Sequence, residues 1–231
     1  MMTVLSFELQ RDELGKKLGG GFPEGSLVFI EGVNGSGKSA ITQRLTYGLL
    51  NNDSKVTLIS TSLTTKGFIN QMYSQGYPIV PYLLKNKLLF IPVLPLVRST
   101  KIRSDFIERL MGAKELFDNK VIIIDTLSSL IRSSADANKS IDLVSFFKKI
   151  TGMGKTIIIT ADGTELDKDI MTEFISASDV FMSLKQKTLG SDIKRSIIVN
   201  KFSGARAPVG NIIGFRIEPN VGLVVEIVSV S

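Results

Sequence analysis

The eight residues Gly32-Val33-Asn34-Gly35-Ser36-Gly37-Lys38-Ser39 hold the most specific chemistry in this chain. They fill every fixed place of the phosphate-loop pattern G-x-x-x-x-G-K-S/T. In that pattern backbone N–H groups cradle phosphate oxygens, the lysine reaches the β- and γ-phosphates and the hydroxyl ligates Mg²⁺. Gly32, Gly35 and Gly37 let the backbone curl against an anion without a Cβ in the way. The flanks agree. Ser26-Leu27-Val28-Phe29-Ile30 reads as a buried strand, and Ala40 to Leu50 as a helix with Ile41, Leu45 and Leu49 on one face. A strand, a glycine-rich turn and a helix start together make an anion site. The expected ligand is a nucleoside triphosphate held by Asn34, Gly35, Ser36, Gly37, Lys38, Ser39 and Ala40.

A second candidate is Val121-Ile122-Ile123-Ile124-Asp125. An apolar run ending in Asp puts one carboxylate at the carboxyl end of a buried strand, where open α/β sheets bind their ligands. Beside Ser39, Asp125 is the expected metal residue, holding Mg²⁺.

Composition removes other chemistries. The chain has 231 residues with no Cys and no His. Disulfides, thiolate nucleophiles, imidazole acid–base work and His or Cys metal sites are excluded. The hydrophobic fraction is 43% and the net charge +6. A basic balance fits nucleic acid, an anionic surface or an acidic partner. No apolar run reaches the length of a membrane span. No secretion signal is visible at Met1 to Gln10, so a cytoplasmic location is expected.

The elements that must position these residues alternate. Strands are expected at Lys55–Ser60, Leu88–Ile91, Val121–Asp125, Thr156–Thr160 and Val180–Leu184. Helices are expected at Thr65–Ser74, Ile102–Phe117, Ile141–Thr151 and Ile170–Ser176. Such alternation implies a mostly parallel sheet covered on both faces. Ser196–Lys201, Ile212–Ile217 and Leu223–Val228 follow with short loops, and Asn220-Val221-Gly222 reads as a hairpin turn. The expected fold class is α/β, with antiparallel C-terminal strands, in a single domain over 1–231.

Leu18-Gly19-Gly20-Gly21-Phe22-Pro23-Glu24-Gly25 and Asp125-Thr126-Leu127-Ser128-Ser129 resemble the corresponding segments of RecA- and KaiC-type ATPases. A narrower resemblance, to the archaellum-motor ATP-binding family FlaH, rests on further segments. These are Glu31 to Ser39, Ile59 to Thr65 with Phe68-Ile69 and Gln71-Met72, Val199 to Arg206, and the hairpin from Ile213 to Glu226. The resemblance covers nearly the whole chain. It implies a RecA-like αβα sandwich, ATP and Mg²⁺ as cofactors, and a homo-oligomeric ring at the cytoplasmic face of the membrane. The implied partners are the motor/secretion ATPase and the polytopic membrane platform protein, with membrane contact indirect.

The resemblance also marks departures. RecA- and KaiC-like enzymes carry a catalytic Glu after the second strand; the matching place here is Ser62, a hydroxyl that orients water but is a poor base. Glu31 and Asp162 are the carboxylates that sequence position brings near the γ-phosphate; the plain alternatives are a strand-end residue and a turn former. KaiC-like rings insert Lys-x-Arg into the neighbour's site. Here Lys201 keeps the lysine place, Ser203 stands at the arginine place, and Arg206 follows. The expected catalytic set is therefore Lys38, Asp125, Ser62 and Glu31, with Lys201 and Arg206 reaching a neighbour's phosphates and turnover weak or partner-dependent. A DNA-dependent recombinase and a KaiC-like signalling ATPase are the rival readings. Against DNA stand Asp162, Glu165, Asp167, Asp169, Glu173 and Asp179, which repel a phosphate backbone. The basic cluster Lys185, Lys187, Lys194 and Arg195 has no interleaved aromatic residue for base stacking. Nucleic acid is not an expected partner. The basic surface and the turn at Asn220-Val221-Gly222 are expected to be free for motor partners.

Overall fold

Val121-Ile122-Ile123-Ile124 has no polar position, so a strand made from it must be covered on both faces. The computed structural model describes residues 3–93, 105–132, 134–190 and 192–226, and it shows this double cover. Val121 and Ile123 enter one buried cluster, Ile122 and Ile124 a second one on the opposite face. The run Leu27–Ile30 divides the same way, Val28 and Ile30 against Leu27 and Phe29.

The strands are β1 (Val4–Leu5), β2 (Phe22–Pro23), β3 (Leu27–Gly32), β4 (Val56–Ser60), β5 (Leu88–Pro92), β6 (Val121–Asp125), β7 (Thr156–Ala161), β8 (Val180–Leu189), β9 (Asp192–Phe202), β10 (Ile212–Glu218) and β11 (Gly222–Glu226). The helices are α1 (Leu14–Lys17), α2 (Lys38–Asn51), α3 (Thr65–Ser74), α4 (Val80–Leu84), α5 (Phe106–Gly112), α6 (Leu127–Ile131), α7 (Ala137–Gly152) and α8 (Lys168–Ala177), with a 3-10 turn at Lys114–Phe117. β1 and β2 pair apart; the other described strands form one sheet in the order β11-β10-β9-β8-β3-β7-β6-β4-β5. From β8 to β5 neighbouring strands are parallel. β8, β9, β10 and β11 pair antiparallel. Ile41, Leu45 and Leu49 of α2 and Phe68 and Met72 of α3 cover one face. Leu143 and Phe147 of α7 and Phe174 of α8 help cover the other. The α/β sandwich with an antiparallel C-terminal end is thus as the sequence indicates.

Boundaries differ in instructive places. The helix expected over Ile102–Phe117 is α5 and the 3-10 turn, separated at Ala113; its start, 102–104, lies outside the described residues. The last strand is described to Glu226, and Ile227 and Val228 lie outside. β8 and β9 run further than expected, as a long hairpin whose polar end, Lys185–Leu189, is exposed. Backbone pairing and polar side-chain contacts carry that extension, so no hydrophobic alternation announces it. The turn at Asn220 is docked rather than free. Its N–H donates to Ser74 O at 2.7 Å, and Leu223 N–H donates to the Tyr77 hydroxyl at 3.0 Å. A Cβ on Gly222, at φ +85°, would lie 2.2 Å from that hydroxyl, so glycine is required there. No helix among the described residues is long and apolar enough to cross a membrane.

One buried ion pair ties the N-terminal segment to α2. Arg44 donates from Nε and Nη2 to Asp12 at 2.8 and 2.6 Å, and from Nη1 to Phe7 O at 2.5 Å. Both side chains are fully enclosed. Removing one partner leaves an uncompensated buried charge. Asp12→Ala is therefore expected to destabilise the fold by about 3–5 kcal/mol, read from urea unfolding. A loss under about 1 kcal/mol, typical of an exposed pair, would contradict this role.

Candidate phosphate-binding site

β3 delivers the chain to Gly32, and α2 starts at Lys38. Between them Gly35 and Gly37 adopt φ +79° and +102°. Gly37 is the N-cap residue and supplies no side-chain cap. The first turn of α2 therefore presents uncapped N–H groups and the positive end of a helix dipole. A Cβ on Gly37 would lie 3.0 Å from Phe215 Cζ, so β10 packs directly under the loop. The Lys38 ammonium donates to Gly32 O at 2.5 Å and Val33 O at 3.0 Å, and lies 3.7 Å from Asp162 Oδ2.

The loop borders a cavity of about 690 Å³. Asn34, Gly35, Gly37, Lys38, Ser39 and Ala40 line it, whereas Ser36 is fully buried behind the loop. Along one wall come Thr61, Ser62, Thr126, Ser129, Asp162 and Glu165; Gln71, Gln75, Arg195 and Ile217 complete it. The volume is in the usual range for a small-molecule site.

Asp125 ends β6 opposite Ser60 of β4. It is 4% exposed and accepts hydroxyl bonds from Thr42 (3.2 Å), Thr126 (3.2 Å) and Thr160 (2.9 Å). Thr42 also donates to Ser39 O at 3.0 Å, which ties this carboxylate to the first turn of α2. The donors nearby are hydroxyl and carboxylate oxygens, which suit Mg²⁺. No cluster of three or more acidic metal ligands occurs among the described residues. A cation held by Ser39 and Asp125 therefore needs phosphate and water oxygens to complete its shell, as Mg²⁺ at phosphates does. The residues fit the group.

Asp125 itself is not among the cavity-lining residues, and the two carboxylates that are, Asp162 and Glu165, are engaged. Glu165 accepts from the Ser128, Ser129 and Arg132 side chains at 2.7, 3.1 and 3.1 Å. Asp162 accepts from Thr164 N–H (3.0 Å) and Thr164 Oγ1 (2.7 Å), while its own N–H donates to Ser128 Oγ (2.9 Å). Burial pushes the Asp162 carboxyl up. The two Thr164 bonds, the Lys38 charge and the Asn34 N–H more than offset it, and the group lies below the ordinary carboxylate range. It is ionised at neutral pH, and the stability it adds is lost as the pH falls through that lowered value.

Ser62 is exposed on the cavity wall, with no carboxylate at its place. Glu31 is not brought into the cavity lining; its carboxylate faces Gly163 and Ser183, whose hydroxyl donates at 3.4 Å. Lys201 and Arg206 are not brought to their own chain's loop either. Lys201 pairs with Phe181 near the start of β8, and its ammonium donates to Ser176 O and Ser178 O. Arg206 follows in a loop whose Ala205 and Ala207 lie against Gly19.

Arg195 shares a groove with Lys185, Lys187 and Lys194, as their clustering in sequence suggests, and has a second role that sequence reasoning missed. Pairing of Gln186 with Arg195 and of Lys187 with Lys194 puts Arg195 on the sheet face opposite Lys194. There its Nε donates to Gly35 O at 3.2 Å and its side chain lines the cavity. The available signal is the alternation of β9, hidden because Asp192–Arg195 reads as a polar loop.

A family model described as "ATPase: KaiC" matches residues 12–228. The archaeal flagellar ATP-binding protein FlaH of Methanocaldococcus jannaschii is 39% identical over 231 residues, covering 100% of this chain and 99% of that protein. The protein of the same name from Sulfolobus acidocaldarius is 28% identical, covering 95% of this chain and 96% of its own. The crystal structure of flagellar accessory protein FlaH from M. jannaschii superposes with a TM-score of 0.91 at 38% identity, covering 98% of this chain and 100% of that one. A KaiC-like protein from Pyrococcus horikoshii gives a TM-score of 0.76 at 18% identity over 98% of this chain and all of its own, which shows shared fold alone.

The position of the Lys38 ammonium yields a direct expectation. Lys38→Ala should weaken Mg²⁺–ATP binding by at least about tenfold, because a charge-assisted contact is lost. Equal affinity of wild type and variant in titration calorimetry would contradict the assignment of Lys38 to phosphate.

Proposed function

The chain belongs to the KaiC-like ATPases and, within them, to the FlaH family, and from that premise we propose that it is the ATP-binding component of the archaellum motor. In this reading nucleotide binding regulates assembly of a homo-oligomeric ring. It also regulates contact with the motor/secretion ATPase and the membrane platform. The supporting relatives carry the name archaeal flagellar ATP-binding protein.

We assign the phosphates to the uncapped start of α2, the loop N–H groups of residues 34–40 and the Lys38 ammonium. Ser39 and Asp125 are the residues we assign to Mg²⁺, which when bound neutralises phosphate charge. Thr42, Thr126 and Thr160 orient the Asp125 carboxylate. Arg195 fixes the outer edge of the loop through Gly35 O.

One observation supports the regulatory reading: each carboxylate lining the cavity already has partners, and Ser62, which the resemblance puts at the place of a catalytic Glu, lines it without one. Hydrolysis needs a group that orients or deprotonates the attacking water. Ser62 can orient it but takes up a proton poorly. Binding without rapid turnover suits a switch. In a head-to-tail ring Lys201 or Arg206 would reach a neighbour's phosphates, Lys201 by exchanging its bonds to Ser176 O and Ser178 O.

Two experiments test this. Wild-type turnover is expected to lie well below the ordinary enzyme range of about 1–10³ s⁻¹, and Ser62→Glu is expected to raise it. A wild-type rate inside that range would refute the weak-turnover reading. In sedimentation, ATP with Mg²⁺ should shift the protein toward a larger assembly, and Lys201→Ala should reduce the shift. A monomer in every condition at high concentration would exclude self-assembly.

A further inference from the structure

Asp162 lines the cavity beside the loop lysine. Its carboxylate lies 3.7 Å from the Lys38 ammonium of the loop, and both side chains are largely buried. The loop lysine is the group that this motif turns toward the β- and γ-phosphate oxygens. The carboxylate is also fixed. Thr164 holds Oδ1 through its N–H and hydroxyl, and Ser128 holds the Asp162 N–H. Asp162 is 8% exposed and cannot leave for bulk water without breaking that turn.

We propose that Asp162 is a built-in substitute for the γ-phosphate and sets how strongly the site distinguishes a nucleoside triphosphate from a diphosphate. The proposal rests on the nucleotide-binding reading above. A diphosphate leaves the contact between Asp162 and Lys38 in place. A triphosphate brings added negative charge against a held carboxylate, which is unfavourable unless a cation lies between them. Triphosphate binding therefore depends on an added cation far more than diphosphate binding does. Mg²⁺ is one source, and a lysine or arginine from a second copy is another.

A turn-forming role for Asp162 makes a different forecast. Asn keeps the local bond to the Thr164 N–H, since Asn and Asp form the same turn, but it removes the charge. Titration calorimetry with ATP and with ADP, each in Mg²⁺ and in EDTA, compares wild type and Asp162→Asn. In EDTA, wild type should bind ATP no more tightly than ADP, and D162N should tighten ATP about tenfold while ADP stays within about twofold. Mg²⁺ should narrow the difference between the two proteins. The wild-type arm stands by itself if the variant folds poorly. Wild type preferring ATP over ADP by more than about tenfold in EDTA would overturn the proposal. So would D162N leaving the ATP-to-ADP ratio unchanged. Either result leaves nucleotide binding intact, whereas a wild type that binds neither nucleotide overturns that reading as well.

Discussion

The α2 helix begins without a cap, and the surrounding site is organised around that start. Gly37 contributes a left-handed turn and no side-chain oxygen, so the first N–H groups of the helix lack a side-chain cap where residues 37–40 line the cavity. Such an end favours negative charge. Its geometry is held from several sides. β3 is buried on both faces, Phe215 packs beneath Gly37, and Arg195 takes the Gly35 carbonyl from the outer edge. The antiparallel end of the sheet is therefore not an appendage. β9 and β10 carry the two side chains that fix the loop, and the docked turn at Asn220 anchors the β10–β11 hairpin to the end of α3.

The carboxylates at and behind the cavity wall bear on the proposed separation of binding from turnover. Asp125 is held by three threonine hydroxyls, Glu165 by two serines and an arginine, and Asp162 by Thr164 beside the Lys38 ammonium. A carboxylate satisfied in this way holds charge in a fixed place, which suits electrostatic positioning of a metal or phosphate. It is less suited to accepting a proton from water. Membership of the FlaH family and a phosphate site with these features are mutually consistent with a nucleotide-controlled part of a larger machine.

Much of this was legible in the residues. The eight-residue loop motif pointed to the candidate site, where the structure has a cavity, and the apolar runs of β3, β6 and β7 indicated a sheet covered on both faces, because a strand without polar positions has no other stable setting. Asp125 was readable from its place at the end of such a run. What sequence did not reveal depends on pairing across the sheet. Arg195 belongs with Gln186 on the loop side, a fact decided by the β8–β9 register and not by local composition. Glu31 neighbours the loop in sequence yet faces Gly163 and Ser183, because alternation along β3 directs it away from the cavity lining. Glu165 and Asp179 looked like parts of an acidic surface. Glu165 holds the Ser128–Arg132 turn, and Asp179 accepts the Leu27 N–H at 2.8 Å.

Amide hydrogen exchange of residues 34–40 with and without Mg²⁺–ATP tests the central claim most directly, because it reads the N–H groups of the loop and of the uncapped helix start at the cavity. The account predicts that exchange in this segment slows by at least about tenfold on nucleotide addition, as expected when local opening is opposed by a bound ligand. Unchanged exchange at these amides in folded protein at saturating nucleotide would contradict it.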